Sequence, residues 1–475
     1  MDARVGIVAA LLVGCVPLAA DPPLLIPQPQ SLEFEGEGWD LSRAGVVLEG
    51  ASSGLLVSPA VAGRMLRERR RGNIVLSIAT DLSGEAYRLS VDAGVQIEAG
   101  TDEGLYRGLT TLEQLLDGGD VVPVVVIEDG PRFSWRGSMV DIARHHFGLA
   151  ELKRHVDAMA LHKLNRLHVH LTDDQGWRIE ILAYPSLTAI GGATEVGGGE
   201  GGFLTQAEWT ELVAYAAERF VTVIPEIDMP GHVGAALASV PSLNADGVAI
   251  EPYTGTEVGW SSLCLSCPAT GPFVEAVLGE VAALTPGPWL HIGGDEADAT
   301  EAGEYRDFLQ TVQGIVAEEG KTLIGWEEVA GADLAAPFVA QHWRRPEVAM
   351  EAAEQGAQLI SSPADRAYLD MMVDITNPVG TLWAGLTNLE DAYTWDPQLG
   401  FPAGSVLGIE APIWGETTAE WADVEFLVWP RLAGHAELGW SAAGDWDDYV
   451  PRLRHHARRL DALGIGFYRS PEIEW

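Results

Sequence analysis

From Pro131 to the carboxyl terminus, strand-like apolar runs alternate with helix-like amphipathic ones, and this rhythm restricts the possible folds more than any other feature of the chain. Strand signals fall at 138–142, 166–171, 221–227, 289–292, 322–326, 338–342, 358–361 and 408–412, with helical spacing between them at 151–162, 208–220 and 304–319. Eight strand-plus-helix units predict an α/β fold, a (β/α)8 barrel over 131–475. A doubly wound sheet would open on a glycine-rich phosphate loop, and neither a GxGxxG nor a Walker sequence stands there. The glycine-rich tract 191–202 reads as a surface loop near the barrel mouth.

Ahead of the barrel, a proline-rich entry at 22–29 leads into β-branched runs at 73–78 and 121–127, with a helical pattern at 101–116 between them. This predicts a small α/β companion domain over 22–130, a helix packed on a sheet. Residues 1–21 read as an export signal: Arg4 precedes an apolar stretch from Val5 to Val13 that is too short to span a bilayer. Its end, Leu12-Val13-Gly14-Cys15, resembles a bacterial lipobox, which predicts lipidation of Cys15 and a cell-envelope lipoprotein. The alternative is a cut after Ala20 and a soluble periplasmic or extracellular enzyme.

The chain carries 69 acidic against 29 basic residues, a formal charge of -40. Such a field repels polyanions and argues against a nucleic-acid partner. Cys264 and Cys267 form a C-L-S-C pair, either a local disulfide or two reduced thiols. One pair is too few for a four-ligand zinc site, and no metal or cofactor is expected.

Strand ends across the barrel finish in residues suited to chemistry: Arg144, Asp173, Asp228 with His232, Asp295 with Glu296, Trp326, Trp343, and Trp414 with Glu416. In a barrel these ends converge on one mouth. The segment 289–297, WLHIGGDEA, is the most pointed of them, since paired glycines let the backbone turn sharply and deliver two adjacent carboxylates. The chain has 16 tryptophans, and indole faces stack on the apolar faces of sugar rings while carboxylates and arginine bind hydroxyls. A carbohydrate ligand follows.

These motifs resemble those of glycoside hydrolase family 20, the β-N-acetylhexosaminidases, and particularly its secreted actinobacterial members. The likeness runs through WRGSMVDIARHHF (135–147), HLTDDQGWRIEI (170–181), VIPEIDMPGH (223–232), LHIGGDEA (290–297), YLD (368–370) and WPRLAGHAELGW (429–440), and through EGLYRGLTTLEQL in the companion domain. It implies a retaining exo-enzyme that hydrolyses terminal N-acetylglucosaminides or N-acetylgalactosaminides, with the substrate's own acetamido oxygen as nucleophile. It implies Glu296 as general acid with a raised pKa, Asp295 as the group that orients and charges the acetamido arm, and Tyr368 as the holder of the acetamido oxygen. Asp173 and His232 resemble a relay that tunes Glu296. Trp326, Trp343, Trp383 and Trp414 would wall the sugar pocket, with Arg144, Asp370 and Glu416 as its polar floor. Asp228 would bind substrate directly or support a residue that does. His146 departs from the aromatic residue expected after the Arg-His pair and is read as a packing difference.

Three other readings fit less of the chain. His168-Val169-His170, with His291 and His342, resembles the metal ligands of barrel amidohydrolases, yet the following TDDQGW matches the glycosidase motif. Gly293-Gly294-Asp295-Glu296 shares four residues with the nucleotide-cyclase GGDEF signature but lacks its Phe. A non-catalytic sugar-binding protein on the same fold would have little reason to keep both Asp295 and Glu296.

Overall fold

The structure is a computed structural model that describes residues 15–17, 22–41, 45–52, 55, 74–442 and 444–475. These divide into two compact units at Gly130–Pro131. The apolar stretch Val5 to Val13 lies outside the described residues.

In the first unit, strands β1 (Cys15–Pro17), β2 (Ser31–Asp40), β3 (Val46–Glu49), β4 (Ile74–Ile78), β5 (Tyr87–Val91), β6 (Val95–Ala99) and β7 (Val121–Asp129) form one mixed sheet in the order β1-β2-β7-β5-β6-β4-β3. The helix Asp102–Leu116 packs on it. Thr101 caps that helix by accepting a hydrogen bond from the Gly104 amide, a contact worth about 1 kcal/mol. Gly108 lets the helix settle close to Ile97 and Tyr87, where a Cβ would have no room.

In the second unit, eight parallel strands close into a barrel: β8 (Trp135–Asp141), β9 (Arg166–His170), β10 (Thr222–Glu226), β11 (Trp289–His291), β12 (Thr322–Trp326), β13 (Val339–His342), β14 (Gln358–Ser361) and β15 (Val406–Ile413). Each of the eight predicted strands lies on one of them. β8 begins three residues earlier than its apolar signal, because Trp135, Arg136 and Gly137 already pair in register with Gly408, Ile409 and Glu410. Arginine and glycine interrupt the apolar run that the sequence reading relied on.

The barrel interior is layered. Trp135, Ile224, Ile324, Val339 and Ile360 form an apolar layer, and Met139, Trp326, Trp343, Tyr368 and Met371 form an aromatic layer at the carboxyl ends. A charged set also lies inside. Glu410 accepts from the Trp135 indole (2.9 Å) and the Gln341 amide (3.0 Å) and meets His168 Nδ1 at 2.8 Å. Glu226 meets His168 (3.0 Å), His170 (2.5 Å) and His291 (3.1 Å) and accepts from the Trp326 indole at 2.9 Å. A buried charge is tolerable only when paired. Gly137 makes room for Glu410, since a Cβ there would overlap its carboxylate. Burial opposes charge on His168, but Glu226 and Glu410 outweigh it and hold its pKa up at about 9.

Among the described residues no helix is long and apolar enough to cross a membrane. Cys264 and Cys267 are joined as a disulfide with their Cα atoms 5.3 Å apart, the first of the two states the sequence left open.

Candidate active site

A cavity of 500 Å³ opens at the carboxyl ends of the strands. Ten of the thirteen residues singled out from the sequence line it: Arg144, His232, Asp295, Glu296, Trp343, Tyr368, Asp370, Trp383, Trp414 and Glu416. Asp173, Asp228 and Trp326 do not. Trp326, expected in the wall, is buried behind Trp414 at a ring distance of 5.7 Å, and its N–H is taken by Glu226. Asp228 is likewise placed behind the pocket. Its Oδ1 accepts the Gly294 amide at 3.1 Å, so it shapes the turn that carries Asp295 and has that oxygen already engaged.

Local backbone explains how two acids reach one cavity. Gly293 and Gly294 adopt φ of 65° and 92°, a region that favours glycine, and a Cβ on Gly293 would collide with the Asp228 carboxylate. Glu296 (φ 43°) and His232 (φ 52°) are also left-handed, which is uncommon for residues with a side chain and recurs at functional sites. Tyr305 donates to the Gly294 carbonyl at 2.6 Å and pins the turn from outside.

His232 stands between the two acids, its Nε2 3.6 Å from Asp295 Oδ2 and 3.6 Å from Glu296 Oε2. Its Nδ1 meets Asp173 Oδ1 at 3.2 Å, and Asp173 Oδ2 meets both His170 Nε2 (2.9 Å) and Arg144 (2.8 Å). Glu226 closes this chain through His170. Asp173 is buried, a cost that the charge of Arg144 and then of His232 overcomes, and its carboxyl is held well below the usual range. His232 is pushed the other way: despite burial, Asp173 above all raises it well above an ordinary imidazole.

The two acids differ in a way opposite to the sequence expectation. Burial first, then the charges of Glu328, Glu226 and Glu296, push Asp295 up to about 7, with His232 opposing. Glu296 is instead lowered, chiefly by the His232 ring 3.6 Å away, with Arg344 and Arg144 adding to it and partial burial opposing. The expected raised pKa of Glu296 is therefore not the resting condition. Of the two adjacent acids Asp295 is the one more readily protonated, and Asp228 behind it is also raised well above the usual range, by burial and then by the charge of Asp295.

Around them, Tyr368 is buried and stacks nearly parallel to Trp343 with ring centres 6.3 Å apart, and Trp383 meets both edge-on. Burial raises the Tyr368 phenol well above its usual value, so it stays a neutral donor. Burial and then Glu416 raise Asp370 to about 7. Its Oδ2 accepts from Thr381 at 3.0 Å, while its Oδ1 and Asp295 Oδ1 have no protein partner. Such atoms are costly unless a ligand satisfies them. Arg144 lies over the Trp414 ring at 5.0 Å and is tied to Asp141 at 3.2 Å.

Sequence reasoning missed Arg344, which reaches Glu296 at 3.7 Å and lies over Trp343 at 4.2 Å. It also missed Thr256, Val258, Thr381 and Thr417, which complete the lining from loops without strand or motif signals. The tract 191–202 does reach this neighbourhood: the Val196 amide bonds the Arg144 carbonyl at 2.9 Å. The ring of His146 packs against Gly202, consistent with a packing role. Of the proposed metal-type histidines, His168 and His291 gather with Glu226, their ligand atoms within 4.8 Å, whereas His342 belongs to a different cavity.

The sequence model of glycosyl hydrolase family 20, catalytic domain, matches residues 133–443, and that of glycosyl hydrolase family 20, domain 2, matches residues 22–130. The chain is 41% identical over 415 residues to a beta-N-acetylhexosaminidase of Cellulomonas fimi, covering 84% of each. Among solved structures it is similar to the beta-N-acetylhexosaminidase from Streptomyces coelicolor A3(2), with 42% identity and a TM-score of 0.91 over 96% of this chain and 100% of that one. It is also similar to a mutant Streptomyces plicatus beta-hexosaminidase in complex with product (GlcNAc), with 43% identity and a TM-score of 0.90 over 97% and 99%.

Proposed function

We infer the reaction from one premise, that this chain belongs to glycosyl hydrolase family 20. It is a β-N-acetylhexosaminidase that releases terminal, non-reducing N-acetyl-D-hexosamine with retention of configuration. The observation that carries this is the adjacent Asp295–Glu296 pair beneath His232 in an aromatic pocket.

Trp343, Trp383 and Trp414 hold the sugar ring while Arg144, Asp370 and Glu416 take its hydroxyls. Tyr368 donates to the acetamido oxygen and Asp295 accepts the acetamido N–H. The acetamido oxygen then attacks C1, the bond to the leaving oxygen breaks, and Glu296 passes its proton to that oxygen. The positive charge spread over the new oxazolinium ring lies against Asp295, a fixed negative group in a dry site. In the second half Glu296 takes a proton from water as the water oxygen bonds to C1 and the ring opens. No protein carboxylate has to reach C1.

This scheme needs the proton on Glu296, whereas the resting surroundings favour it on Asp295, raised to about 7, over Glu296, which is lowered. The two states hold the same number of protons. A substrate N–H pointed at Asp295 favours its carboxylate, and the negative charge so formed raises Glu296. His232, 3.6 Å from each, is the natural carrier between them. The pair therefore titrates as one unit, and a pH profile reports that unit.

A pocket of this kind takes one terminal sugar. With chitotetraose, N-acetylglucosamine is expected as product from the first time points. Disaccharide accumulating ahead of monosaccharide in a chromatographic time course would instead require an open cleft.

The chain is also proposed to be exported and anchored through a lipidated Cys15. The lipobox-like Leu12 to Cys15 supports this. Palmitate fed to an expressing bacterium should label the wild type and not Cys15→Ser. Unlabelled protein beginning after Ala20 would mean a soluble enzyme.

A further inference from the structure

A second cavity, of 590 Å³, lies behind the aromatic wall and shares Trp343 and Arg344 with the first. It sits where β13 and β14 end, on the face of the barrel that carries function. His342 closes its inner side. This side chain is 6% exposed, and neither ring nitrogen has a hydrogen-bond partner in the protein. Burial lowers its pKa to about 4, so the ring presents one donor and one acceptor. Leaving both unmet is costly, which points to a ligand that can meet them.

The charges at this cavity are already spoken for. Arg366 pairs with Asp391 at 2.9 Å, Asp396 with Arg132 at 2.7 Å, and Arg344 with Glu328 at 3.5 Å. Two arginines and two aspartates, Asp365 and Asp396, line it and cancel, so no field selects an ion of either sign. What remains are two aromatic rings, Trp395 and Phe401, beside a neutral donor and acceptor. The Trp395 N–H is satisfied by the Ala392 carbonyl, which leaves its ring for contact. Aromatic rings with dispersed hydrogen-bonding groups suit a neutral ring bearing hydroxyls. We propose that this cavity binds a saccharide unit, with His342 bonded to its hydroxyls and Trp395 and Phe401 against its C–H face. The unit is either a distal sugar of the chain whose end occupies the active site or a separate molecule.

The test uses the full-length protein with its active site blocked by an N-acetyl thiazoline and N-acetylglucosamine as probe, read by saturation-transfer NMR. Transfer is expected in the blocked wild type and should weaken with about a tenfold loss of affinity in Trp395→Ala and Phe401→Ala. Both variants should keep kcat/KM on an aryl N-acetylglucosaminide within about twofold, since neither residue lines the first pocket. A distal-sugar role raises KM for chitotetraose about tenfold in the same variants; a separate-molecule role leaves that KM alone. No transfer in the blocked wild type, equal transfer in the variants, or displacement of the probe by inorganic phosphate would overturn the proposal. If the thiazoline fails to block, aryl hydrolysis persists in its presence and the reaction scheme is at fault, while the part of the signal lost in Trp395→Ala still reports the second cavity.

Discussion

Glu296→Gln is expected to lower kcat/KM on chitobiose by roughly 10³-fold while costing an aryl N-acetylglucosaminide no more than about tenfold. The asymmetry comes from the leaving group. An alkoxide cannot depart until a proton reaches it, whereas a nitrophenolate carries its own charge into water. Because kcat/KM covers only the steps through the first bond cleavage, it isolates the general acid from the later general base. The second role shows separately. Loss of the base slows opening of the oxazoline, so kcat and KM on the aryl substrate should fall together. Glutamine preserves shape at a partly exposed position where Arg344 and His232 are the charged neighbours, and an unchanged melting temperature would confirm that the fold is kept. Equal losses on the two substrates would remove Glu296 from the acid role.

Much of this site was legible because its residues sit at the ends of strands that the alternating pattern located. Asp173, Asp228, Trp326 and Trp343 each follow or close a short apolar run, and a parallel barrel brings such ends together whatever the loops do. The pattern cannot tell which residues of the ring face the cavity. Trp326 and Trp343 end neighbouring strands and both looked like walls, yet the Trp326 N–H is drawn inward by Glu226, a buried charge within the otherwise apolar-looking run of β10. Glu226 itself gave no signal, since one acid in VIPEI reads as the end of a strand. Arg344 was hidden for a different reason: its role depends on the path of the backbone after Trp343 and on a contact to a residue 48 positions earlier. The direction of the Glu296 shift was beyond a sequence reading. It turns on a histidine lying midway between two acids, which is geometry and not composition. In the companion domain, β2 went unread because its side chains alternate between exposed and half-buried and so show little apolar periodicity.

Asp295→Asn should reduce kcat/KM by roughly 10² to 10³-fold, and should do so equally for aryl and natural substrates. This evenness separates it from Glu296. Asp295 acts on charge that develops in the sugar and its acetamido arm, so the leaving group does not enter. Asparagine keeps an oxygen for the acetamido N–H but brings no negative charge to the oxazolinium, and the uncharged group also binds the thiazoline more weakly. The pH dependence gives the sharper signature. In the wild type the working form carries one proton on the pair, placed on Glu296, with Asp295 charged. The first proton of the pair is held up to about 7 because burial disfavours the Asp295 charge, so activity is lost as pH rises through that value. Acidification into the lowered range of Glu296 adds a second proton that neutralises Asp295 and abolishes the electrostatic contribution. The wild-type profile must therefore fall on its acid side. In Asp295→Asn that group no longer titrates and Glu296 works when protonated, so kcat/KM should run flat toward low pH until folding fails. An acid limb that survives in Asp295→Asn, or a loss confined to disaccharides, would place the charge-stabilising role on another residue.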